Sequence, residues 1–265
     1  MLIESLHSPH VARVKALISS KGAQERRASG LFVAEGVQAA REALGSSQGP
    51  QVVTLYYTAE GAARIADLDL SGIDSFEVTD AVMNAMTSTV TPQGVIALCA
   101  IPSESFEDFV PASACPTLIY LHEIQDPGNA GTILRTADAT GVAAVITSPR
   151  SVDFYSPKVV RSTAGSLWNI PLFQGVEFDR VLAAFPQSRP ILLSSHANTS
   201  LLDLDTSLSY IAIFGNEARG VRIDELATNT TITEITIPMA GSAESLNLSA
   251  AASIVMFQLS QGHAG

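Results

Sequence analysis

Apolar positions along this chain follow two rhythms that alternate. Leu6, Val11, Val14, Leu17 and Ile18 recur at the spacing of one helix face, which predicts a helix within residues 5–20. Leu31-Phe32-Val33 reads as a short strand. Gly36 opens a helix running through Ala39, Ala40 and Leu44, and Gly45-Ser46-Ser47 stops it. Residues 52–57 predict a strand and 60–66 a helix. Phe76-Glu77-Val78 begins another unit, with Asp80 the expected cap of a helix over 81–86. A strand over 94–100 precedes residues 102–116, whose three prolines and three acids predict an interdomain linker.

The second half alternates more strongly. Strands are expected at 117–121, 142–147, 190–195, 209–214 and 234–237, and helices at 130–140, 157–166, 178–185, 222–227 and 245–260. Short apolar strands between helices imply a parallel sheet covered on both faces. The last helix, rich in Ala, Ile, Val and Phe, is expected to be buried on more than one side.

Composition narrows the class. A chain of 265 residues with 46% hydrophobic residues can build one large core or two ordinary ones, and is not a disordered sequence. No apolar run approaches the roughly 20 residues that span a bilayer. The start, MLIESLHSPHVARVK, lacks a charged-then-apolar leader, so a cytoplasmic protein is expected. Cys99 and Cys115 are too few for a disulfide framework or a zinc site, and no metal-ligand spacing occurs. The phosphate loop GxxxxGK and the dinucleotide turn GxGxxG are both missing, which argues against an NAD-type dehydrogenase on the same strand–helix alternation.

A net charge of −11 speaks against nucleic acid until its distribution is considered. Residues 1–41 carry a net +3, residues 42–115 a net −9, and the remainder −5. Such a basic start is either a nucleic-acid contact surface or an ordinary solvated helix.

The most informative segments are three polar, glycine-bearing turns, each after an apolar β-type run. They are Pro127-Gly128-Asn129 with Gly131 and Arg135, Phe214-Gly215-Asn216-Glu217-Ala218-Arg219-Gly220, and Ile237-Pro238-Met239-Ala240-Gly241 followed by Ser245-Leu246-Asn247-Leu248-Ser249. Where such turns gather on one α/β sheet, a single site at one sheet end is expected. Taken alone, each glycine turn is as readily a tight turn with no ligand.

These three motifs, in this order, resemble those of the SpoU/TrmH branch of the SPOUT RNA methyltransferases, over about the last 150 residues. Ser156-Pro157-Lys158 and Arg161-Ser162-Thr163-Ala164-Gly165 fit the same family. The N-terminal part, through Arg26-Arg27, Phe32-Val33-Ala34-Glu35-Gly36 and Thr91-Pro92-Gln93-Gly94, is similar to an L30e-like substrate-binding domain. The resemblance implies an α/β fold with a smaller L30e-like domain over 1–101, a linker over 102–116, and a SPOUT-type parallel-sheet domain with a C-terminal trefoil knot over 117–265. It implies S-adenosylmethionine as methyl donor without a metal, structured RNA (most of all 23S or other ribosomal RNA) as substrate, a 2′-O-methylated ribose as product, and a homodimer with no membrane association. A tRNA methyltransferase and a non-catalytic RNA-binding or assembly protein on the same scaffold are the alternatives.

The resemblance also distributes roles. Gly215, Asn216, Gly220, Ile237, Met239 and Leu246 would hold the donor. Glycine permits close backbone approach and positive φ, as Gly215, Gly220 and Gly241 would need, and Ile237-Pro238-Met239 would wall an adenine. Arg135, read as projecting inward from a helix starting near Ala130 unless it is a bare surface arginine, would by its own chemistry bind a neighbouring phosphate and stabilise the developing alkoxide. A guanidinium stays protonated in proteins, so the proton would pass to phosphate or water. Asn129 would fix a loop or contact the ribose, or simply form an Asx-turn. Glu217 would hold Asn129 or Arg135, or else be a solvated loop carboxylate. Ser245, standing where a helix N-cap is expected, and Asn247 would lie near the donor or nucleophile, or else serve as helix caps, and both roles can coexist. Arg13, Lys21, Arg26 and Arg27 are the expected RNA phosphate contacts. His122 and His196 sit near strand ends, but the motifs do not require them.

Overall fold

The computed structural model describes residues 2–47, 49–194, 197–226, 230–243 and 245–262. His196 and the last residues of the expected elements 190–195 and 222–227 lie outside the described residues. Two compact units emerge: Met1–Ser103 with Asp153–Asn169, and Glu104–Val152 with Ile170–Gly265.

In chain order the elements are β1 (Leu2–Ile3), α1 (Pro9–Ile18), α2 (Gly22–Ser29), β2 (Leu31–Glu35), α3 (Val37–Gly45), β3 (Val52–Tyr57), α4 (Ala59–Arg64), β4 (Asp74–Val78), α5 (Asp80–Met86) and β5 (Val95–Ala100). They continue with β6 (Thr117–Leu121), α6 (Pro127–Ala139), β7 (Ala144–Thr147), α7 (Pro157–Ser162), β8 (Leu172–Phe173), α8 (Phe178–Ala184), β9 (Arg189–Leu193), β10 (Thr199–Ser200), β11 (Tyr210–Phe214), β12 (Thr233–Thr236) and α9 (Leu248–Ser260).

The first unit is built on a mixed sheet of order β1-β4-β3-β5-β2. β5 runs antiparallel to both β2 and β3, whereas β4 is parallel to β1 and β3. Val11, Val14 and Leu17 of α1 pack with Val33, Tyr56, Ile96 and Leu98 in its core, which is why the helical spacing of the first residues was legible. Thr79, and not Asp80, caps α5: its hydroxyl accepts from the Val82 amide, and Asp80 is the first helical residue. The Asp153–Asn169 segment, expected with residues 117–265, belongs here. Trp168 is 1% exposed and donates through Nε1 to the Pro50 carbonyl at 3.1 Å, while Ser46 Oγ donates to the Trp168 carbonyl at 2.9 Å. Glu35, also buried, accepts from the Ser88 amide at 2.9 Å and from Arg161 on α7 at 3.2 Å.

The second unit carries a wholly parallel sheet of order β10-β12-β9-β11-β6-β7-β8. Its central strands β6 and β11 are buried along their full length, as their unbroken apolar runs require. The chain moves from β6 outward through β7 to β8, then returns to the other side of β6 for β9 and β11. The strand order therefore reverses between β6 and β11, and a crevice is expected at the strand ends there. Part of the expected 102–116 linker is structural: Phe106, 5% exposed in a 3-10 turn, packs on Phe173 and Phe185. α9 packs against α6, where Ser253 and Thr136 hydroxyls meet at 2.9 Å. Its other face is not buried: Ile254 and Phe257 are 41% and 62% exposed.

Candidate active site

The loops after β6, β9, β11 and β12 surround a cavity of about 560 Å³ at the C-terminal end of the parallel sheet. Each wall has a local cause. Asp126 caps α6 by accepting from the Asn129 amide at 2.8 Å, and Pro127 occupies the first turn, where its missing N–H costs nothing. The helix thus starts at Pro127 and not near Ala130, which puts Asn129 inside its first turn, 9% exposed.

The β11 loop is closed by reciprocal bonds between Asn216 and Gly220, N to O at 3.1 Å and 2.8 Å. Asn216 Oδ1 accepts from the amides of Ala218 and Arg219, and its Nδ2 donates to the Glu123 carbonyl at 2.9 Å. Gly220 sits at φ +66°. Gly215 has an ordinary φ but no room: a Cβ there would lie 2.4 Å from the Gly220 carbonyl carbon. Gly241 has neither constraint, since nothing lies within 4 Å of its virtual Cβ.

A chain of side-chain hydrogen bonds unites the three turns. Glu217 accepts from the amides of Gln125 and Asp126 at 3.1 and 3.0 Å, and from Asn129 Nδ2 at 3.3 Å. Asn129 Oδ1 in turn accepts from Asn247 Nδ2 at 3.1 Å. Asn247 Oδ1 caps α9 through the amides of Ser249 and Ala250. Each amide group spends both its donor and its acceptor, so the relay has one polarity and reads from a carboxylate to a helix cap. The cap of α9 is accordingly Asn247, and Ser245 precedes it; the expectation that Ser245 would cap the helix does not hold.

Nine of the residues singled out from sequence line the cavity: Asn129, Asn216, Glu217, Gly220, Ile237, Met239, Ser245, Leu246 and Asn247. Leu193, Ser194, Ala218, Thr236, Leu248 and Ala251 complete the wall. Ala218 and Leu248 stand inside the motifs, whereas Leu193, Ser194, Thr236 and Ala251 are ordinary residues at strand ends and on α9 that only topology collects. Met239 and Leu246 are 40% and 39% exposed at the rim, apolar surface that a ligand would cover. Gly215 supports the loop without lining the cavity.

Two further expectations fail. Arg135 does not project inward: it lies on the exposed face of α6 with Thr132 and Ala139, is absent from the cavity wall, and has no ion-pair or hydrogen-bond partner among the described residues. One helical position away from Leu134, which faces the core, it is rotated about 100° outward. Glu217 therefore holds Asn129 and not Arg135. Arg26 is not a surface cation either. It is 4% exposed, pairs through Nε with Asp153 at 2.8 Å, and donates to the Leu17 carbonyl. Arg13, Lys21 and Arg27 are exposed. His122 is buried at the end of β6 with an unpartnered Nδ1, and burial lowers its pKa. Among the described residues no His, Cys, Asp and Glu cluster could hold a metal, and no helix is long and apolar enough to cross a membrane.

Residues 116–257 match the SpoU rRNA Methylase family, and residues 9–97 match the MRM3-like substrate binding domain. The chain belongs to the SpoU rRNA methylase family. It is 32% identical over 260 residues to the 23S rRNA (guanosine(2553)-2′-O)-methyltransferase RlmP of Bacillus subtilis, covering 97% of this chain and 98% of that one. It is 31% identical over 186 residues to the 23S rRNA (uridine(2479)-2′-O)-methyltransferase of Streptomyces viridochromogenes, covering 68% and 64%. The AdoMet-bound rRNA methyltransferase from Sinorhizobium meliloti superposes with a TM-score of 0.82 at 28% identity, covering 100% of this chain and 98% of that one. The fold class is thus the SPOUT type expected from the motifs, an α/β parallel-sheet unit together with a second, smaller α/β unit.

Proposed function

We propose that the protein is an S-adenosylmethionine-dependent 2′-O-ribose methyltransferase acting on ribosomal RNA. The observation that carries this reading is the Glu217–Asn129–Asn247 relay, which binds all three family motifs into one cavity. A volume of about 560 Å³ lies within the 300–1,000 Å³ typical of small-molecule sites. Apolar Ile237, Met239 and Leu246 suit an adenine face, and the closely approaching backbone of the 215–220 loop suits the rest of the donor. When bound, S-adenosylmethionine supplies an electrophilic methyl group.

The chain's own residues have three tasks. Asn129, Ser245 and Asn247 present polar groups on the side of the cavity where a ribose would enter. Glu217 keeps that side in register. The Arg135 guanidinium stabilises negative charge developing on the 2′ oxygen and fixes a neighbouring phosphate, with the hydroxyl proton leaving to phosphate or water. Because Arg135 lies outside the cavity of its own chain, a homodimer is part of the proposal: the exposed apolar face of α9 at Ile254 and Phe257 would be buried between subunits, and Arg135 of the partner subunit would complete the site. Arg13, Lys21 and Arg27 would contact RNA phosphates from the N-terminal unit.

The test is transfer of labelled methyl from S-adenosylmethionine to deproteinised 23S rRNA, followed by digestion to nucleosides. A 2′-O-methylated nucleoside is expected. Label on tRNA alone would replace the substrate, and tight donor binding with no transfer to any RNA would favour the scaffold reading. Sedimentation of Phe257→Glu checks the dimer: a monomer lacking methyl transfer but still binding donor is expected.

A further inference from the structure

Beside the cavity stands a charged cluster that the relay does not use. Glu123, two residues after β6, is a non-glycine residue at φ +51°, and Arg150, after β7, is another at φ +66°. Backbone in this region is disfavoured for side-chain-bearing residues and persists where surroundings impose it. The Glu123 side chain is 6% exposed, yet it faces two guanidinium groups: Oε1 pairs with Arg150 Nη2, and Oε2 with Arg219 Nη2. The arginine side chains are 80% and 60% exposed.

The backbone around Glu123 is equally tied. Its amide donates to Ser148 Oγ at 2.8 Å, and its carbonyl accepts from Asn216 Nδ2 and from Gln125 Nε2. Gln125 Nε2 also donates to the Arg150 carbonyl at 2.7 Å. Through Asn216 the cluster is one residue from the cavity wall. The neighbouring titratable groups are His122, whose pKa burial lowers and which lies 3.9 Å from Glu225, the already paired Arg222 and Asp224, and Glu217 in the relay. One carboxylate against two arginines leaves the triad with a positive charge on a chain whose sum is −11. Each arginine spends one nitrogen on Glu123 and keeps its other N–H groups for solvent, in the planar array that suits a phosphate.

We propose that Glu123 is a positioning residue that holds Arg150 and Arg219 as a two-armed receiver for the RNA backbone beside the ribose being methylated. The inference rests on the proposed RNA substrate. A plain structural staple between loops would explain the same contacts but would not create salt-dependent RNA binding.

The experiment measures binding and methylation of deproteinised 23S rRNA by the full chain across a salt series, with donor affinity by calorimetry. Arg150→Ala/Arg219→Ala should raise the RNA KM about 10- to 100-fold and flatten the slope of log K against log salt by roughly 1.4 to 1.8, as expected for two lost phosphate contacts. Donor affinity should stay within about twofold. Since that variant strands a buried carboxylate, Glu123→Gln/Arg150→Ala/Arg219→Ala is measured beside it and should show the same slope. Glu123→Gln alone should keep the parent slope while raising KM, because the arms remain but are no longer held. A parent-like KM and slope in the triple variant overturns the receiver, and a parent-like KM in Glu123→Gln overturns the positioning role. A parent protein that binds no rRNA would instead sink the proposed function, and this inference with it.

Discussion

Asn129→Asp is the sharpest test of the relay, because it preserves shape and changes one donor into an acceptor. In the parent, Asn129 Nδ2 lies 3.3 Å from Glu217 Oε1. Two carboxylates at that separation repel by about 5 kcal/mol at an effective dielectric near 20. Glu217 is exposed, and solvent roughly halves this, leaving about 2–3 kcal/mol. The β11 loop and the α6 start would then spend most of their time apart, and donor affinity falls by the fraction of molecules still competent, about 30- to 150-fold. The pair would also share a proton. One carboxyl pKa is raised above its unfolded value, so the penalty is full above that raised value and fades as pH drops below it. Calorimetric donor affinity at pH 8 and pH 5 should therefore differ for Asn129→Asp. Asn129→Ala, which loses two hydrogen bonds worth about 1–3 kcal/mol together without adding a charge, should be pH-independent over that range. Parent-like affinity of Asn129→Asp at pH 8, or no recovery of it at pH 5, would refute the idea that this contact holds the motifs together.

Arg135→Ala should lower the methylation rate at least 100-fold with donor affinity within about twofold, and Arg135→Lys should keep part of the rate; full activity in the alanine variant discards its role. Gly215→Ala should abolish donor binding, since its Cβ would collide with the Gly220 backbone, whereas Gly241→Ala should bind as the parent does; calorimetry separates the two. Arg26→Ala should destabilise the first unit by about 3 kcal/mol, because it leaves Asp153 without its partner, while leaving the salt slope of RNA binding unchanged. A flattened slope with normal melting would return Arg26 to the RNA surface.

Much of the site is readable from the sequence as residue types. Polar and glycine residues after apolar runs have few reasons to cluster three times, and nine of the named positions do meet in one cavity. What misled was direction. Arg26 and Arg27 are adjacent and chemically alike, yet one helical step places the first against Asp153 and leaves the second in solvent. Arg135 follows buried Leu134 and turns outward for the same reason. The Ser245 cap differed from the observed Asn247 by two residues, a distance that sequence propensity does not resolve, since both types cap well.

Local chemistry alone was enough to set the main alternation of strands and helices, the polar turns between them, and the family that the motifs declare. These depend on near neighbours in the chain, whose spacing is written in the order of residues. Tertiary structure alone decided that Asp153–Asn169 packs with the first unit, that Glu217 reaches Asn129 across 88 residues, and that Glu123 faces two arginines from separate loops. Such contacts arise only when the order of strands in a sheet brings distant turns to one edge, and that order is settled by burial over the whole domain.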